Sequence, residues 1–297
     1  MNIYNKQKTI GKAVAFDGMG LHSGENCNVV LRPACENSGI KFIKNRDGVA
    51  HTIPADHKFI SNSQLCTTLE SYDADFKIFT VEHLLAAIKG NDIDNLIVEV
   101  DKEEIPALDG SAREFDNIIK EDKIIEQKAN KKYLFIKNPV EVKKDKSIIR
   151  LYPSNHLKID CTIEFPDPIG KQTITLGNSI KEIYKKVINA RTFCFYENIE
   201  DMRKVGLAKG GSLDNAIVIK DNKVMNKEGI RFPDEFVRHK VLDIIGDLSL
   251  INCNFKFSIE AFYPGHEVNK LVMQEIFKNV SNYKIIQEYE DPRKFDD

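Results

Sequence analysis

The sequence predicts an α+β protein of two domains, in which helices pack on mostly antiparallel sheets. The chain has 297 residues, which suits two domains of about 150 residues each. Segments with strand and helix periodicity both occur, but they do not alternate regularly, which argues against a parallel α/β sheet. The densest charged stretch, 120–132, separates two apolar-patterned regions. We therefore predict an N-terminal domain at 1–127 and a C-terminal domain at 128–297.

Hydrophobic periodicity predicts the elements in chain order. In the first half we expect strands near 28–32, 40–44 and 95–101, and helices near 80–89 and 111–120. In the second half we expect strands near 133–143, 147–151, 157–165, 215–220 and 255–262, and helices near 179–187, 233–250 and 267–280. Leu96, Val98 and Val100 recur at every second position, as in a strand with a buried face. The acidic tail at 288–297 is predicted to fray.

Composition and charge limit the class of protein. A hydrophobic fraction of 42%, a charged fraction of 30% and the absence of Trp describe a soluble globular protein. The formal net charge of −2 gives no general attraction to nucleic acid. No apolar run approaches the ~20 residues of a membrane span, and the N-terminus lacks the apolar stretch of a signal peptide. We expect a cytoplasmic protein that binds no nucleic acid.

The six cysteines show no Cys-x-x-Cys pairing. In a reducing compartment they are expected to be free thiols, and a zinc ion held by a cysteine cluster is not expected. Nothing in the sequence requires an oligomer, so we expect a monomer.

A column of ionisable side chains marks the segment 232–250. His239, Asp243 and Asp247 recur at four-residue steps, which a helix stacks on one side. Pro233 suits the first helical turn. An apolar stripe lies nearly opposite the column and consists of Val237, Val241, Ile244, Ile245 and Leu248. We expect the column to lie off the packed face as half of a metal site; an ordinary i,i+4 pair on a solvated face is the alternative.

A second candidate histidine lies on the predicted helix at 80–89. Thr80 can cap this helix and Gly90 can end it. Glu82 and His83 fall off the apolar stripe, so they are expected to point away from the packed face. Together they could supply a base and a ligand to one metal-bound water molecule. Seen alone, such a pair is more often an exposed helix turn.

A faint internal repeat relates these two helices. Segments 82–90 and 238–246 share a His, an Ile and a Gly in register. Related domains that present equivalent helices could bring His83 and His239 together. With Asp243 they give two histidines and one carboxylate, which leaves a coordination position for water as catalytic zinc sites require. Fe(II) suits the same donor set.

His266 lies on a predicted turn that leads into the last helix. It is either a surface loop histidine or a general acid that protonates a leaving amine. In the second case a carboxylate such as Asp247 would orient it. Two other segments are ambiguous, since 191–195 has the alternating aromatics of a strand and 209–212 has the Gly-Gly of a tight turn.

Six motifs follow one another along the chain, at 18–24, 80–87, 105–112, 190–193, 209–215 and 236–243. Together with the Gly-His pair at 265–266, they resemble the UDP-3-O-acyl-N-acetylglucosamine deacetylase family, the zinc amidases of lipid A biosynthesis in Gram-negative bacteria. Each motif alone would be weak. Their shared order, from residue 11 to about residue 270, makes the resemblance specific.

The resemblance implies two layered α/β-sandwich domains of similar topology, with the active site between them. It implies hydrolysis of the N-acetyl group of UDP-3-O-(3-hydroxyacyl)-N-acetylglucosamine, the committed step of lipid A biosynthesis. Carried over by motif, His83, His239 and Asp243 would bind zinc. Glu82 would be the general base that activates water.

The resemblance also assigns residues around the reacting atoms. Thr192 would stabilise the oxyanion, and His266, held by Asp247, would protonate the leaving nitrogen. Lys240 would contact the substrate near its pyrophosphate or sugar, and Phe193 would pack beside the sugar. An apolar passage for the acyl chain would be lined by Leu21, Phe195, Ile199, Gly211, Ser212 and Ala216.

The resemblance extends to four further positions. Phe165 would stack near the uracil. Cys66 belongs to a segment that approaches the metal in the family, either as a small buried residue or as a thiolate contact. Met19 stands where Val is more familiar, and Ala208 occupies a variable position on the passage wall. Both of these changes are apolar and would affect the fit of the acyl chain more than the chemistry.

Two other functions stay open at this point. A non-catalytic protein could keep the pocket for sensing or scaffolding, although binding alone would not need the full set of Glu82, His83, His239, Asp243 and His266. An amidase for another acylated sugar would keep the metal set and change the passage.

Overall fold

A computed structural model describes residues 5–72, 75–121 and 123–287. The tail at 288–297, predicted to fray, lies outside the described residues. The first half of the chain forms strands β1 (Lys6–Ile10), β2 (Val14–Met19), β3 (Asn26–Pro33), β4 (Ile40–Arg46), β5 (Val49–Pro54), β6 (Ile60–Asn62), β7 (Thr68–Glu70), β8 (Lys77–Phe79), β9 (Leu96–Val100) and β10 (Ile124–Asn130), with helices α1 (Glu82–Gly90) and α2 (Arg113–Lys120).

The second half forms strands β11 (Tyr133–Ile136), β12 (Val140–Lys144), β13 (Ser147–Pro153), β14 (Leu157–Phe165), β15 (Gly170–Asn178), β16 (Phe193–Phe195), β17 (Ile217–Lys220), β18 (Lys223–Val224), β19 (Asn254–Phe262) and β20 (Tyr283–Ile286). Its helices are α3 (Ile180–Val187), α4 (Ile199–Lys204), α5 (Glu235–Leu248) and α6 (His266–Lys278). Short 3-10 turns occupy His57–Phe59, Tyr196–Asn198 and Ser249–Ile251. Within the described ranges, no helix combines the length and the apolarity that a membrane crossing needs.

The main sheet of the first half has the order β2-β3-β9-β4-β5. Its neighbouring strands are antiparallel except for β4 and β9, which run parallel. Leu96, Val98 and Val100 of β9 are buried, as their alternation predicts. A three-stranded sheet of β6, β7 and β8 and a two-stranded sheet of β1 and β10 complete this half.

The main sheet of the second half is organised around β19. This strand pairs antiparallel with β13 and parallel with both β11 and β14. β12 extends the sheet beyond β13, β15 beyond β14, and β20 beyond β11. A smaller sheet contains β16, β17 and β18. Helices α5 and α6 pack on this half and carry one side of the candidate site.

Antiparallel and mixed sheets packed against helices confirm the predicted α+β class. The predicted helices are present as α1, α2, α3, α5 and α6, while α4 is not predicted. The strand predicted at 133–143 is two strands, because residues 137–139 leave the sheet between β11 and β12. The charged stretch at 120–132 contains β10. Its pairing with β1 forms a partly exposed ribbon, so its charged side chains reach solvent.

Two local expectations about the helix starts are wrong. Thr80 does not cap α1, because its backbone is left-handed with φ 61° and its hydroxyl donates to Glu104 Oε1 at 3.0 Å. Val81 takes the cap position without a side-chain hydrogen bond. Pro233 lies before the first turn of α5, which begins at Glu235. Contacts with the rest of the fold, not local caps, therefore fix where these helices begin.

Helix α5 is buried on both faces, contrary to the expectation that its polar column lies off the packed face. The apolar stripe is buried as predicted, at Val237, Val241, Ile244, Ile245 and Leu248. His239, Asp243 and Asp247 are also at most 2% exposed, because α1 and α6 pack along α5. Glu82 and His83 on α1 are buried in the same way. The polar column therefore faces other helices and not solvent.

Gly246 sets the distance between α1 and α5. A Cβ atom at this position would lie 2.1 Å from the backbone oxygen of Glu82, so the approach requires glycine. At the repeat-related position, a Cβ atom on Gly90 would lie 2.2 Å from the ring of Tyr184 on α3. The two glycines of the faint repeat thus both mark close contacts of a helix with its neighbour.

We expect Gly246→Ala to lower the free energy of unfolding by about 1–3 kcal/mol, because the added methyl group meets the backbone of α1. Urea denaturation measures the change. Gly177→Ala is the matched control, since the atoms nearest to a Cβ there lie 3.9 Å away. It should change stability by less than about 0.5 kcal/mol. Equal stability of both variants would show that α1 and α5 are not held this closely.

Candidate metal centre

Helices from the two halves of the chain bring His83, His239 and Asp243 together. The Nε2 atoms of His83 and His239 lie 3.6 Å and 3.3 Å from Asp243 Oδ1. The two imidazole rings meet edge to face, with centroids 5.0 Å apart. One donor atom from each of the three residues lies within 4.8 Å of the other two. These are the residues that the sequence resemblance names as metal ligands.

The three side chains fit a divalent metal ion. His239 Nδ1 donates to Ala190 O at 3.0 Å, which leaves the lone pair of Nε2 facing Asp243. Burial lowers the pKa of His239 to about 3, so its imidazole is neutral. Asp243 Oδ1 is buried and accepts no hydrogen bond from the described residues. Because buried carboxylate oxygens normally have partners, this oxygen and the two imidazole nitrogens suit an ion between them.

The other oxygen of Asp243 is paired with Lys240. Lys240 Nζ donates to Asp243 Oδ2 at 2.7 Å and lies 5.5 Å from the ring centroid of Phe193. Burial alone would raise the pKa of Asp243, but His239 and Lys240 hold it well below its usual range. Burial would likewise lower the pKa of Lys240, and Asp243 raises it instead. Asp243 is therefore ionised and offers one free oxygen.

Glu82 lies directly before His83, at the start of α1, and its carboxylate is buried. Oε2 accepts a hydrogen bond from the backbone N of Thr67 at 3.1 Å, and Oε1 lies 3.6 Å from His266 Nε2. Burial raises the pKa of Glu82, and the nearby His266 and His83 offset part of this rise. A carboxylate with a raised pKa is a better proton acceptor near neutral pH than an ordinary one.

His266 begins α6 and is oriented by Asp247. Its Nδ1 donates to Asp247 Oδ2 at 2.8 Å. Asn269 Nδ2 donates to the same oxygen at 2.7 Å, and Thr67 Oγ1 donates to Asp247 Oδ1 at 2.6 Å. Burial alone would lower the pKa of His266, but Asp247 and Glu82 raise it to about 10. His266 therefore carries a proton on Nε2 at neutral pH.

A cavity of about 410 Å³ opens at these residues. Its wall includes Glu82, His83, Thr192, Phe193, His239, Lys240, Asp243 and His266. Thr192 is held on both sides through its backbone, since its N donates to Gly110 O and its O accepts from Ile217 N, each at 2.8 Å. The side chain of Thr192 therefore enters the cavity from a fixed segment.

A mainly apolar cavity of about 280 Å³ adjoins the first and shares part of its wall, at Leu21, His22, Leu65, Thr192 and Phe193. It is lined by most of the residues predicted for the acyl passage, namely Leu21, Ile199, Gly211, Ser212 and Ala216. Phe195 does not line this cavity, and its ring lies 6.4 Å from that of Phe165. Met202, Val218 and Met225 also line this cavity and are not predicted from the sequence.

Phe165 and Cys66 lie beside the site in different surroundings. The ring of Phe165 meets Phe193 and Tyr263 edge to face, at 5.5 Å and 5.8 Å between centroids. Phe165 therefore belongs to an aromatic cluster at the cavity edge. Cys66 is buried, and burial together with Glu82 raises the pKa of its thiol to about 12. Its sulfur is not one of the three grouped donor atoms.

Sequence reasoning misses several buried residues that support the site. Glu104 accepts hydrogen bonds from the backbone N atoms of His22 and Ser23, at 2.8 Å and 2.6 Å, and so fixes a loop between the two cavities. Thr67 and Asn269 donate to Asp247, as described above. Thr67 and Asp247 are 180 residues apart in sequence, and Glu104 is 82 residues from His22. No local spacing signals contacts of this kind.

Two histidines facing one carboxylate oxygen that has no hydrogen-bond partner among the described residues, with a buried glutamate beside them, define the site of a metal-dependent hydrolase. The chain belongs to the LpxC family, UDP-3-O-acyl N-acetylglycosamine deacetylase, whose family model matches residues 7–278. This family hydrolyses an amide bond.

Relatives of known name agree with this assignment. UDP-3-O-acyl-N-acetylglucosamine deacetylase of Anaeromyxobacter sp. (strain Fw109-5) is 40% identical over 96% of this chain and 92% of its own length. The enzyme of the same name from Legionella pneumophila (strain Corby) is 42% identical over 91% of this chain and 90% of its own length. The enzyme of the same name from Wolinella succinogenes is 40% identical over 95% of this chain and 93% of its own length.

Removing a grouped donor should remove the metal. We expect His239→Ala and Asp243→Ala to weaken metal binding by more than the roughly 10- to 100-fold that loss of an outer partner of a ligand costs. Elemental analysis of the purified variants, followed by Zn²⁺ titration, measures this. His57→Ala is the control, because the ring of His57 stacks on Phe277 at 4.3 Å and is not one of the donors. Wild-type metal content in both ligand variants would refute the assignment.

Proposed function

We propose that this protein removes the N-acetyl group of UDP-3-O-(3-hydroxyacyl)-N-acetylglucosamine, giving UDP-3-O-acyl-glucosamine and acetate in the committed step of lipid A biosynthesis. The family and the names of the relatives support this substrate. The observation that carries the proposal is that a polar cavity at the candidate metal centre adjoins a mainly apolar cavity, with five residues lining both. A substrate with an amide next to an acyl chain matches both.

His83, His239 and Asp243 would hold the metal ion, which we propose is zinc. When bound, the ion supplies a Lewis acid that polarises the amide carbonyl and acidifies a water molecule. Two histidines and one carboxylate suit Fe(II) as well. With either metal, the positive charge of Lys240 stabilises the Asp243 carboxylate. Lys240 contacts Oδ2, so Oδ1 stays available on the side of the two histidines.

Glu82 would be the general base. It follows the N-cap of α1 directly, so its carboxylate reaches the cavity beside His83. The hydrogen bond from Thr67 N holds Oε2 and leaves Oε1 on the side of His266. Glu82 would take the proton of the attacking water, and its raised pKa favours that role near neutral pH.

His266 would be the general acid. It holds a proton at Nε2, and Asp247 fixes its ring through Nδ1. As the carbon–nitrogen bond breaks, Nε2 would deliver that proton to the glucosamine nitrogen. Thr192 would donate its hydroxyl hydrogen to the oxyanion that forms from the carbonyl.

The remaining contacts would bind the substrate. Lys240 would meet the pyrophosphate or sugar and Phe193 the sugar face, since the two side chains lie together at the cavity edge. Phe165, in the adjoining aromatic cluster, would stack near the uracil. Leu21, Ile199, Gly211, Ser212 and Ala216 would line the acyl passage. Cys66 and Phe195 would support these walls from behind.

We further propose a cytoplasmic monomer with a domain boundary at 127/128. The six cysteines are free, which supports a reducing compartment. Every residue assigned to the site comes from one chain, so a monomer suffices. The boundary is supported by the change of sheet partners near this position, from β1 paired with β10 to β11 paired with β19.

The isosteric change Glu82→Gln should lower kcat for acetate release by about 100- to 10,000-fold, because the amide cannot accept the proton of water. Metal content should stay at the wild-type level. Glu182→Gln, on the exposed face of α3, is the control and should keep full activity. If metal-replete wild type releases no acetate, or if Glu82→Gln matches wild type, the protein is not the proposed enzyme.

A plot of kcat/KM against pH should fall on both sides, because the base must be deprotonated and the acid must be protonated. Activity should fall as acidic pH protonates Glu82, whose pKa is raised, and as basic pH deprotonates His266, whose pKa is about 10. Asp247→Asn removes a negative charge beside His266, so the basic limb should move down by about 1–3 pH units. Asp160→Asn, on β14, is the control. A basic limb that stays in place would exclude His266 as the acid.

A further inference from the structure

Thr67 contacts both carboxylates that flank His266. It lies directly before β7 in the first half of the chain and is buried. Its backbone N donates to Glu82 Oε2 at 3.1 Å, and its Oγ1 donates to Asp247 Oδ1 at 2.6 Å. One residue thus joins α1 of the first half to α5 of the second half across the site.

Thr67 supplies the hydrogen bond at one oxygen of each carboxylate, and other groups contact the second oxygen. Glu82 Oε1 faces His266 Nε2 at 3.6 Å. Asp247 Oδ2 accepts from His266 Nδ1 and from Asn269 Nδ2. Asp247 is hydrogen-bonded at both oxygens, so it cannot turn about its terminal torsion, which is otherwise soft, without losing a bond. Glu82 is hydrogen-bonded at Oε2 only, and its Oε1 lies at ion-pair distance from His266. Thr67 therefore holds one oxygen of each carboxylate at once.

We propose that Thr67 is a positioning residue that holds the base Glu82 and the acid His266 in one geometry, acting on His266 through Asp247. The inference rests on the proposed function of the site. The contact of the hydroxyl with Asp247 can be tested separately, because Thr67→Val removes the hydroxyl and keeps the backbone N that donates to Glu82. Without the hydroxyl, the buried Oδ1 of Asp247 loses its partner, and only the two hydrogen bonds at Oδ2 still orient the carboxylate.

Steady-state kinetics of metal-replete variants test the proposal. Thr67→Val should lower kcat by about 10- to 100-fold, the size expected for one lost hydrogen bond to a charged group, with KM changed by less than about threefold. Thr67→Ser keeps the hydroxyl and should stay within about threefold of wild type in kcat. Thr9→Val is the matched control, since Thr9 Oγ1 is a buried hydroxyl on β1 that accepts from Ala34 N.

A second measurement needs no turnover. The proton between His266 Nδ1 and Asp247 Oδ2 should give a low-field resonance in proton NMR. It should shift in Thr67→Val and keep its wild-type position in Thr67→Ser and Thr9→Val. Thermal unfolding compares the stability of Thr67→Val with that of Thr9→Val. If Thr67→Val does not fold, Thr67→Ala and Thr67→Ser make the same comparison, because they differ by the hydroxyl group alone.

Wild-type kcat in Thr67→Val would overturn the inference, and so would a Thr67→Ser variant as impaired as Thr67→Val. A loss of bound metal in parallel with kcat would also overturn it, because Thr67 would then support the metal centre and not the proton-transfer pair. These outcomes leave the proposed function intact. A wild-type protein that releases no acetate would overturn the proposed function instead, and the NMR comparison would still decide whether Thr67 orients His266.

Discussion

The close contact of α1 and α5 at Gly246 is the constraint on which the site depends. A side chain there would meet the backbone oxygen of Glu82 at 2.1 Å, so the helices touch at the turn of α1 that carries Glu82 and His83. This contact places His83 within reach of His239 and Asp243, and Glu82 within reach of His266. A wider helix separation would lengthen the distances from His83 directly, and the distance from Glu82 to His266 through α6, which packs on α5.

The burial of these helices also takes several charged side chains out of water, and each is paired with a group of opposite charge. Charged groups taken out of water are costly unless each has a partner and its remaining hydrogen bonds are satisfied. Lys240 neutralises Asp243 on one side of the column, while His266 lies between Glu82 and Asp247 on the other. The column thus divides into a metal-binding part and a proton-transfer part. His83 and Glu82, adjacent in sequence, serve one part each.

Sequence patterns predict the parts of this arrangement that depend on local periodicity. The stripe from Val237 to Leu248 repeats at helical spacing, so α5 is predicted nearly to its ends. β10 is not predicted, because a strand in a partly exposed two-stranded ribbon can carry many charged residues. Its sequence then lacks the alternation of apolar and polar residues that predicts a strand. Thr80 is mistaken for a cap because its true partner, Glu104, lies 24 residues away. The contacts of Thr67 are beyond sequence reasoning, since they join segments that only the folded chain brings together.

A polar column opposite an apolar stripe can lie either on a solvated helix face or on a face covered by another helix. The burial of the column distinguishes the two. On a solvated face, water satisfies every polar atom, and the column needs no further explanation. On a face covered by another helix, each polar atom needs a partner inside the protein. Nearly all find one here: Asp247 has three donors, and Asp243 Oδ2 has Lys240. The exception, Asp243 Oδ1, faces the Nε2 atoms of two histidines, so accounting for buried hydrogen bonds leads independently to the point where a metal ion would bind.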